Sequence, residues 1–187
     1  MNGNGRRNSI FAGKNTDMKR NALFFGFIIG GILTAWMIYT TTRCIINPEF
    51  ESNDTIGYAA MLATFSFIFV GIKNYRDKQS GGVITFGKAF KLGFLISLVA
   101  STMYVVVWLI DYYVFIPEFL DSYTKHVMYQ ASLDGASRAE LDRKAQEMAT
   151  FKELYKNPAL VVLITYAEVL PIGLVVSVIS GLILKRK

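Results

Sequence analysis

One cysteine and one histidine leave this chain little metal or redox chemistry. Cys44 alone forms neither an intramolecular disulfide nor a multi-cysteine site, and His126 alone cannot anchor a poly-histidine site. Zinc, haem and iron–sulfur centres built on such sets are excluded. Charge is scarce as well. Only 18% of the 187 residues are charged and 52% are hydrophobic, where a soluble domain carries about 25% charged residues. The sequence also lacks H-E-x-x-H, G-x-S-x-G, Walker A and the dinucleotide-binding glycine pattern. The glycine-rich SGGVITFGK at 80–88 has the wrong spacing for a phosphate loop and reads as a flexible turn leading to a helix cap at Thr85. No catalytic residue, cofactor or metal ligand is therefore assigned, and the expectation is a protein that is not an enzyme.

What the chain does have is long apolar runs. Four segments approach or exceed the roughly 20 residues needed to cross a bilayer. They lie at about residues 22–42, 56–72, 90–110 and 158–184. Four such helices in so small a chain leave no polar face for a soluble surface. The expected fold class is all-α, an integral membrane four-helix bundle in residues 21–187. Residues 1–20 form a basic tail whose following apolar run is too long for a cleaved signal sequence, so a signal anchor is expected.

The positive charges are grouped. Arg6, Arg7, Lys14, Lys19 and Arg20 precede the first run, and Lys73, Arg76, Lys78, Lys88 and Lys91 lie between the second and third. Lys185, Arg186 and Lys187 follow the fourth. The first connection, NPEFESNDT, is acidic. The positive-inside rule predicts both termini in the cytoplasm. The net charge of +6 is then a topology signal with attraction to anionic lipid heads, not a nucleic-acid footprint. Lys88 and Lys91, at the start of the third span, are the candidate headgroup contacts.

Between the third and fourth spans lies a polar insert, about residues 111–157, expected outside the cytoplasm. Its pattern is helical. Pro117 suits a first turn, and Gly135 suits the residue just past a helix end. Ser137 and Glu140 form a capping box for a second helix, and Asn157 with Pro158 starts the fourth span. The insert reads as a solvated or interfacial spacer, or as a cap that binds a partner or ligand.

Small residues recur at steps of four: Gly26 and Gly30 in the first span, Gly93 and Ser97 in the third, and Gly173, Ser177 and Gly181 in the fourth. Such spacing makes a groove for close helix contact, within one chain or between two.

The one acid deep in an apolar run is Glu168, about ten residues past Pro158 and so roughly 15 Å into the helix. Pro171 removes the backbone bond to Ala167 and predicts a kink beside it. A carboxylate at bilayer depth is paired, protonated or facing water. Tyr166 and Arg43 complete the candidate intramembrane polar site, with Tyr39 and Tyr104 as further possible partners. The site reads as a buried polar lock, as a proton or ion site, or as a snorkelling, lipid-contacting group. In apolar surroundings the protonated form of Glu168 is expected.

Two stretches carry a resemblance: GIKNYRDKQSGGVITFGKAFKLG at 71–93 and AEVLPIGLVVSVISGLILKRK at 167–187. They resemble the four-span membrane proteins of domain-of-unknown-function family 4199 of Bacteroidetes-type bacteria, over roughly residues 20–187. The resemblance implies a bacterial inner-membrane protein with a helical outer insert and brings no catalytic residues. The functional expectation is a non-enzymatic accessory or interaction protein, with membrane lipids and a homo-oligomer or membrane protein as possible partners. The alternative is a small transporter or ion-coupled component using Glu168.

Overall fold

A computed structural model describes the backbone of residues 3–47 and 54–186, with side chains from Thr16 onward. Most of the acidic first connection and the side chains of Arg6, Arg7 and Lys14 lie outside the described residues. The chain order is α1 (Gly3–Ile46), α2 (Asp54–Phe65), α3 (Phe67–Gln79), α4 (Phe86–Ile110), α5 (Phe119–Leu133), α6 (Arg138–Tyr155) and α7 (Pro158–Leu184). The basic stretch before the first span is thus the start of α1, not a separate segment.

Four helical stretches are long and apolar enough to cross a membrane: Thr16–Ile46, Thr55–Gln79, Phe86–Phe115 and Pro158–Leu184. They exceed the apolar windows because polar turns continue each helix at its ends. Large side chains such as Phe24, Leu163 and Ile183 are more than 60% exposed on the bundle's outside. Water would not tolerate so broad an apolar belt, and lipid does. The chain is an all-α membrane protein.

In lipid, hydrophobicity cannot choose which face of a helix turns inward, because every face is apolar. Size makes the choice instead. A Cβ added at Gly26 would stand 2.6 Å from Val99 Cβ, and one at Gly30 would stand 3.0 Å from Met103 Sδ, so α1 and α4 meet there. α4 and α7 run antiparallel along a tighter seam. A Cβ at Gly93 would lie 2.7 Å from Ser177 Oγ, and one at Gly173 would lie 2.7 Å from Ser97 Oγ. The glycine of each helix receives the serine of the other. Further along, Gly181 faces the Phe86 ring. The small residues therefore pack α1 on α4 and α4 on α7 within one chain. Ile29, Phe65, Ile68, Ile72, Leu92, Ile96 and Val169 fill the space around these contacts and are fully buried.

The second span is interrupted. Ser66 separates α2 from α3, and its hydroxyl bonds back to the Ala63 carbonyl, a local alternative to the helical ladder. The third span ends in a wide π turn, Asp111–Phe115, closed by Ile116 N–H donating to the Asp111 carbonyl at 2.8 Å. α5 starts at Phe119, two residues beyond Pro117. Gly135 has φ of +76° past the end of α5. Ser137 and Glu140 form the capping box of α6, and Asn157 caps α7 with Pro158 in its first turn. Thr85 stands at the α4 N-cap, although its side chain makes no capping bond. α7 continues as helix through Pro171.

Candidate functional site

The insert folds back over one end of the bundle and leaves a chamber of about 370 Å³ beneath it. Five helices contribute to its wall. Met37, Thr40 and Thr41 come from α1, Tyr104 and Trp108 from α4, and Thr165 and Glu168 from α7. The insert supplies Phe119, Tyr123, Met148, Phe151 and Tyr155.

Interlocking rings hold this roof. Trp108 meets Phe119 edge to face at 5.3 Å, and Tyr112 meets Tyr155 in the same way at 5.2 Å. Phe151 lies 4.6 Å from Tyr155. The Tyr113 hydroxyl donates to the Tyr155 carbonyl at 2.9 Å and pins the π turn to the end of α6. Within the insert, Lys152 pairs with Asp121 and joins α6 to α5. That pairing holds the Asp121 carboxyl below its usual range.

The threonines of the chamber bond back to their own helices. Thr165 donates its hydroxyl hydrogen to the Val161 carbonyl at 2.8 Å, and Thr41 donates to Met37 at 2.9 Å. Thr40 does the same toward Trp36 and Met37. A hydroxyl has one hydrogen, so Thr165 and Thr40 present lone pairs to the chamber, while Thr41 also hydrogen-bonds the Asp111 carboxyl. Burial pushes the Tyr155 phenol up to about 12, and the nearby charge of Glu168 adds to the rise against a hydrogen bond from Trp108. Among the described residues, no lysine, arginine or histidine lines the wall, and Glu168 is its one carboxylate.

Glu168 is exposed at the chamber wall, not sealed between helices as a buried lock would be. The other members of the expected polar site do not gather around it. Tyr166 turns to α4, where its hydroxyl lies 2.7 Å from Thr102 Oγ1. Thr102 already donates to the Leu98 carbonyl, so Tyr166 is the donor of that pair. Arg43 is exposed in the last turn of α1 and Pro171 is exposed on α7, and neither lines the chamber. Tyr104 does line it, within electrostatic reach of Glu168. Lys88 and Lys91 are exposed in the first turns of α4. Ser97 and Ser177 add a contact of 3.2 Å between their hydroxyls inside the α4–α7 seam.

The chain matches, over residues 24–186, the family described as a protein of unknown function, DUF4199. The chain belongs to this family. No curated protein and no solved structure matches it. The DUF4199 match runs from within the first membrane helix through the other three and the insert, so the described residues of the chamber wall lie inside the matched region.

Sequence reasoning singled out Glu168 but missed the aromatic wall and the buried arginine at the opposite end. Arg76 is 8% exposed, and its guanidinium reaches the Leu184 carbonyl at 3.4 Å and Asp77 at 2.7 Å. Beside it, the Arg186 amide donates to the Ile84 carbonyl at 2.9 Å. Gly81 and Gly82, with φ of +68° and +81°, make the turn that brings Ile84 there. In sequence, Arg76 is simply one of three basic residues in a loop. Only the fold shows that one of them closes a helix end.

Proposed function

We propose that this protein is a non-enzymatic binding protein of the bacterial cytoplasmic membrane, which holds a small ligand in the chamber under its insert and acts as an accessory to other membrane components. The carrying observation is the chamber itself. A cavity of this size, half of its lining aromatic with a few placed polar groups, is the usual form of a ligand site. A bare spacer needs no such void. The described residues of the wall hold one acid, Glu168, and no basic side chain, a set that suits recognition better than general acid–base chemistry.

Met148 is half-buried at the roof, so Met148→Trp fills the void without forcing a helix seam. Native mass spectrometry of protein extracted with its own membrane lipids should show a bound small molecule in the wild type and none in Met148→Trp. Identical spectra with no adduct in either would remove the binding reading.

The basic clusters support an orientation with both termini in the cytoplasm and the insert outside. Cysteines placed at Ser80 and Ser132 in a Cys44→Ser background test this. An impermeant thiol reagent applied to spheroplasts should label position 132 and spare position 80. The reverse pattern overturns the orientation.

A second reading, ion-coupled transport, is favoured by the exposure of Glu168 to the chamber. Flux into proteoliposomes should then fall in Glu168→Gln. Unchanged flux and growth in that variant would end this reading.

A further inference from the structure

We propose that the chamber under the insert is filled from the membrane: its ligand is a single-chain, uncharged amphiphile with a hydroxyl- or ester-bearing head, entering sideways from the lipid at the level of Glu168. This rests on the binding reading above and adds the ligand's class and source. Depth carries the inference. Arg20, Lys88 and Lys185 are exposed at one end of the bundle, where the apolar runs of α1 and α4 begin and that of α7 ends. Such residues settle among lipid headgroups. Thr40 lies 20 residues along α1 from Arg20, Trp108 lies 20 residues along α4 from Lys88, and Thr165 lies 20 residues back along α7 from Lys185. Each distance is about 30 Å at 1.5 Å per residue, which is the thickness of a bilayer's hydrocarbon core. Three helices therefore put the chamber they wall at one depth, the boundary of hydrocarbon and headgroups in the leaflet opposite the basic residues. Trp36, Tyr39 and Tyr113 are exposed on the outside near the same level, and these ring types collect at that boundary.

The wall is also open at that depth. Glu168 lines the chamber and is exposed, and it stands 17 residues from Lys185. That is about 26 Å, just inside the hydrocarbon edge, so an opening there meets lipid before it meets water. The lining fits what lies at this level. Six rings and two methionines accept hydrocarbon. Thr40 and Thr165 present lone pairs, and the Tyr155 phenol accepts from the Trp108 indole and so has its own hydrogen to give. Acceptors and donors side by side suit a hydroxyl, which uses both, or an ester, which accepts. Neither needs a particular charge on Glu168. A volume of about 370 Å³ is at the small end of ligand cavities and is too small for a whole two-chain phospholipid.

Trp108 serves as the reporter. Trp36→Phe leaves it the sole tryptophan, read in the full chain in phosphatidylglycerol nanodiscs. Lipid brominated near its headgroup should quench Trp108, while lipid brominated near the chain ends and aqueous iodide should leave its fluorescence largely intact. A monoacylglycerol brominated on its chain should quench it to saturation, and unbrominated monoacylglycerol should restore the signal. Bromopropanediol, which is that head without the chain, should have no effect. In Trp108→Phe, the remaining Trp36 should lose fluorescence to the same amphiphile without saturation, as ordinary lipid contact does.

Quenching of Trp108 by iodide or bromopropanediol, with none from lipid-borne bromine, overturns the proposal and makes the chamber a site for an aqueous solute. Unsaturable quenching of Trp108, matching that of Trp36, overturns it as well. In either case a native adduct in the wild type keeps the binding reading. No quenching by any probe, together with no native adduct, removes both.

Discussion

The two ends of the bundle solve opposite problems. Toward the end where α1 starts and α7 finishes, α4 and α7 touch so closely that no methyl group could be added at Gly93 or Gly173. The Gly93–Ser177 and Gly173–Ser97 pairs leave no void, and Arg76 closes the last carbonyls of α7. At the insert end the same helices separate around a chamber walled by rings, which meet at 4.6–5.3 Å where they interlock. One end is built from the smallest side chains and the other from the largest. In a membrane, close packing rather than the hydrophobic effect joins helices, so the small-residue end carries the cohesion. The large-residue end is then free to keep a space.

Substitutions sharpen this contrast. The largest effect is expected at the seam. Gly93→Leu drives carbon into Ser177 and should cost about 3 kcal/mol or prevent accumulation altogether, read as melting temperature and yield in mild detergent. Arg76→Ala should cost about 1–3 kcal/mol, since it strips a charged donor from a buried carbonyl, and hydrogen exchange should rise in the last turn of α7. Wild-type exchange there would break the assignment of Arg76 as the closure.

In the insert, Ser137→Ala should cost about 1 kcal/mol through loss of the cap and should fray α6 without disturbing the seam. The same cap gives a pH signature. Hydrogen bonds from the Ser137 amide and hydroxyl hold the Glu140 carboxyl below its ordinary value of 4.5. A depressed folded value means the stabilisation is present above 4.5 and lost as pH falls through the depressed value. Exchange at the start of α6 should therefore rise in acid, and the rise should be absent in Ser137→Ala. The smallest effect belongs at Gly31, where an added Cβ meets nothing within 4 Å. Gly31→Ala should be neutral or stabilising by at most about 1 kcal/mol, and a loss comparable to Gly93→Leu would refute size as the basis of the packing.

The elements that local chemistry writes were legible in the sequence. Ser137 with Glu140, Asn157 with Pro158, and Gly135 past a helix end each act within a few residues, and the structure places each as read. The small-residue rows were also legible, though not their partners, because Gly26 and Gly93 look alike until the fold shows which helix each one meets. Ser66 was not, since a serine in an apolar run signals no break by itself. The chamber was the least legible. Its wall gathers Met37, Trp108, Phe151 and Glu168 from four helices scattered across 132 positions of chain, and no periodicity spans that distance. Glu168 stood out as a charge in apolar sequence, but its neighbours in sequence, such as Tyr166, point elsewhere.

The reciprocal seats of glycine and serine on α4 and α7 also act as a gauge of length. Residue 93 sits on 177 and residue 97 on 173, and a slip of one repeat of four toward the start of α7 would set Ser97 against Val169. The insert hangs from these same two rods, leaving α4 through the π turn and rejoining α7 at Asn157. A slip of four residues would offset its two anchor points by about 6 Å, enough to pull the roof off Glu168. The height of the roof is thus measured out away from it, along the seam, by four small residues that do not line the chamber.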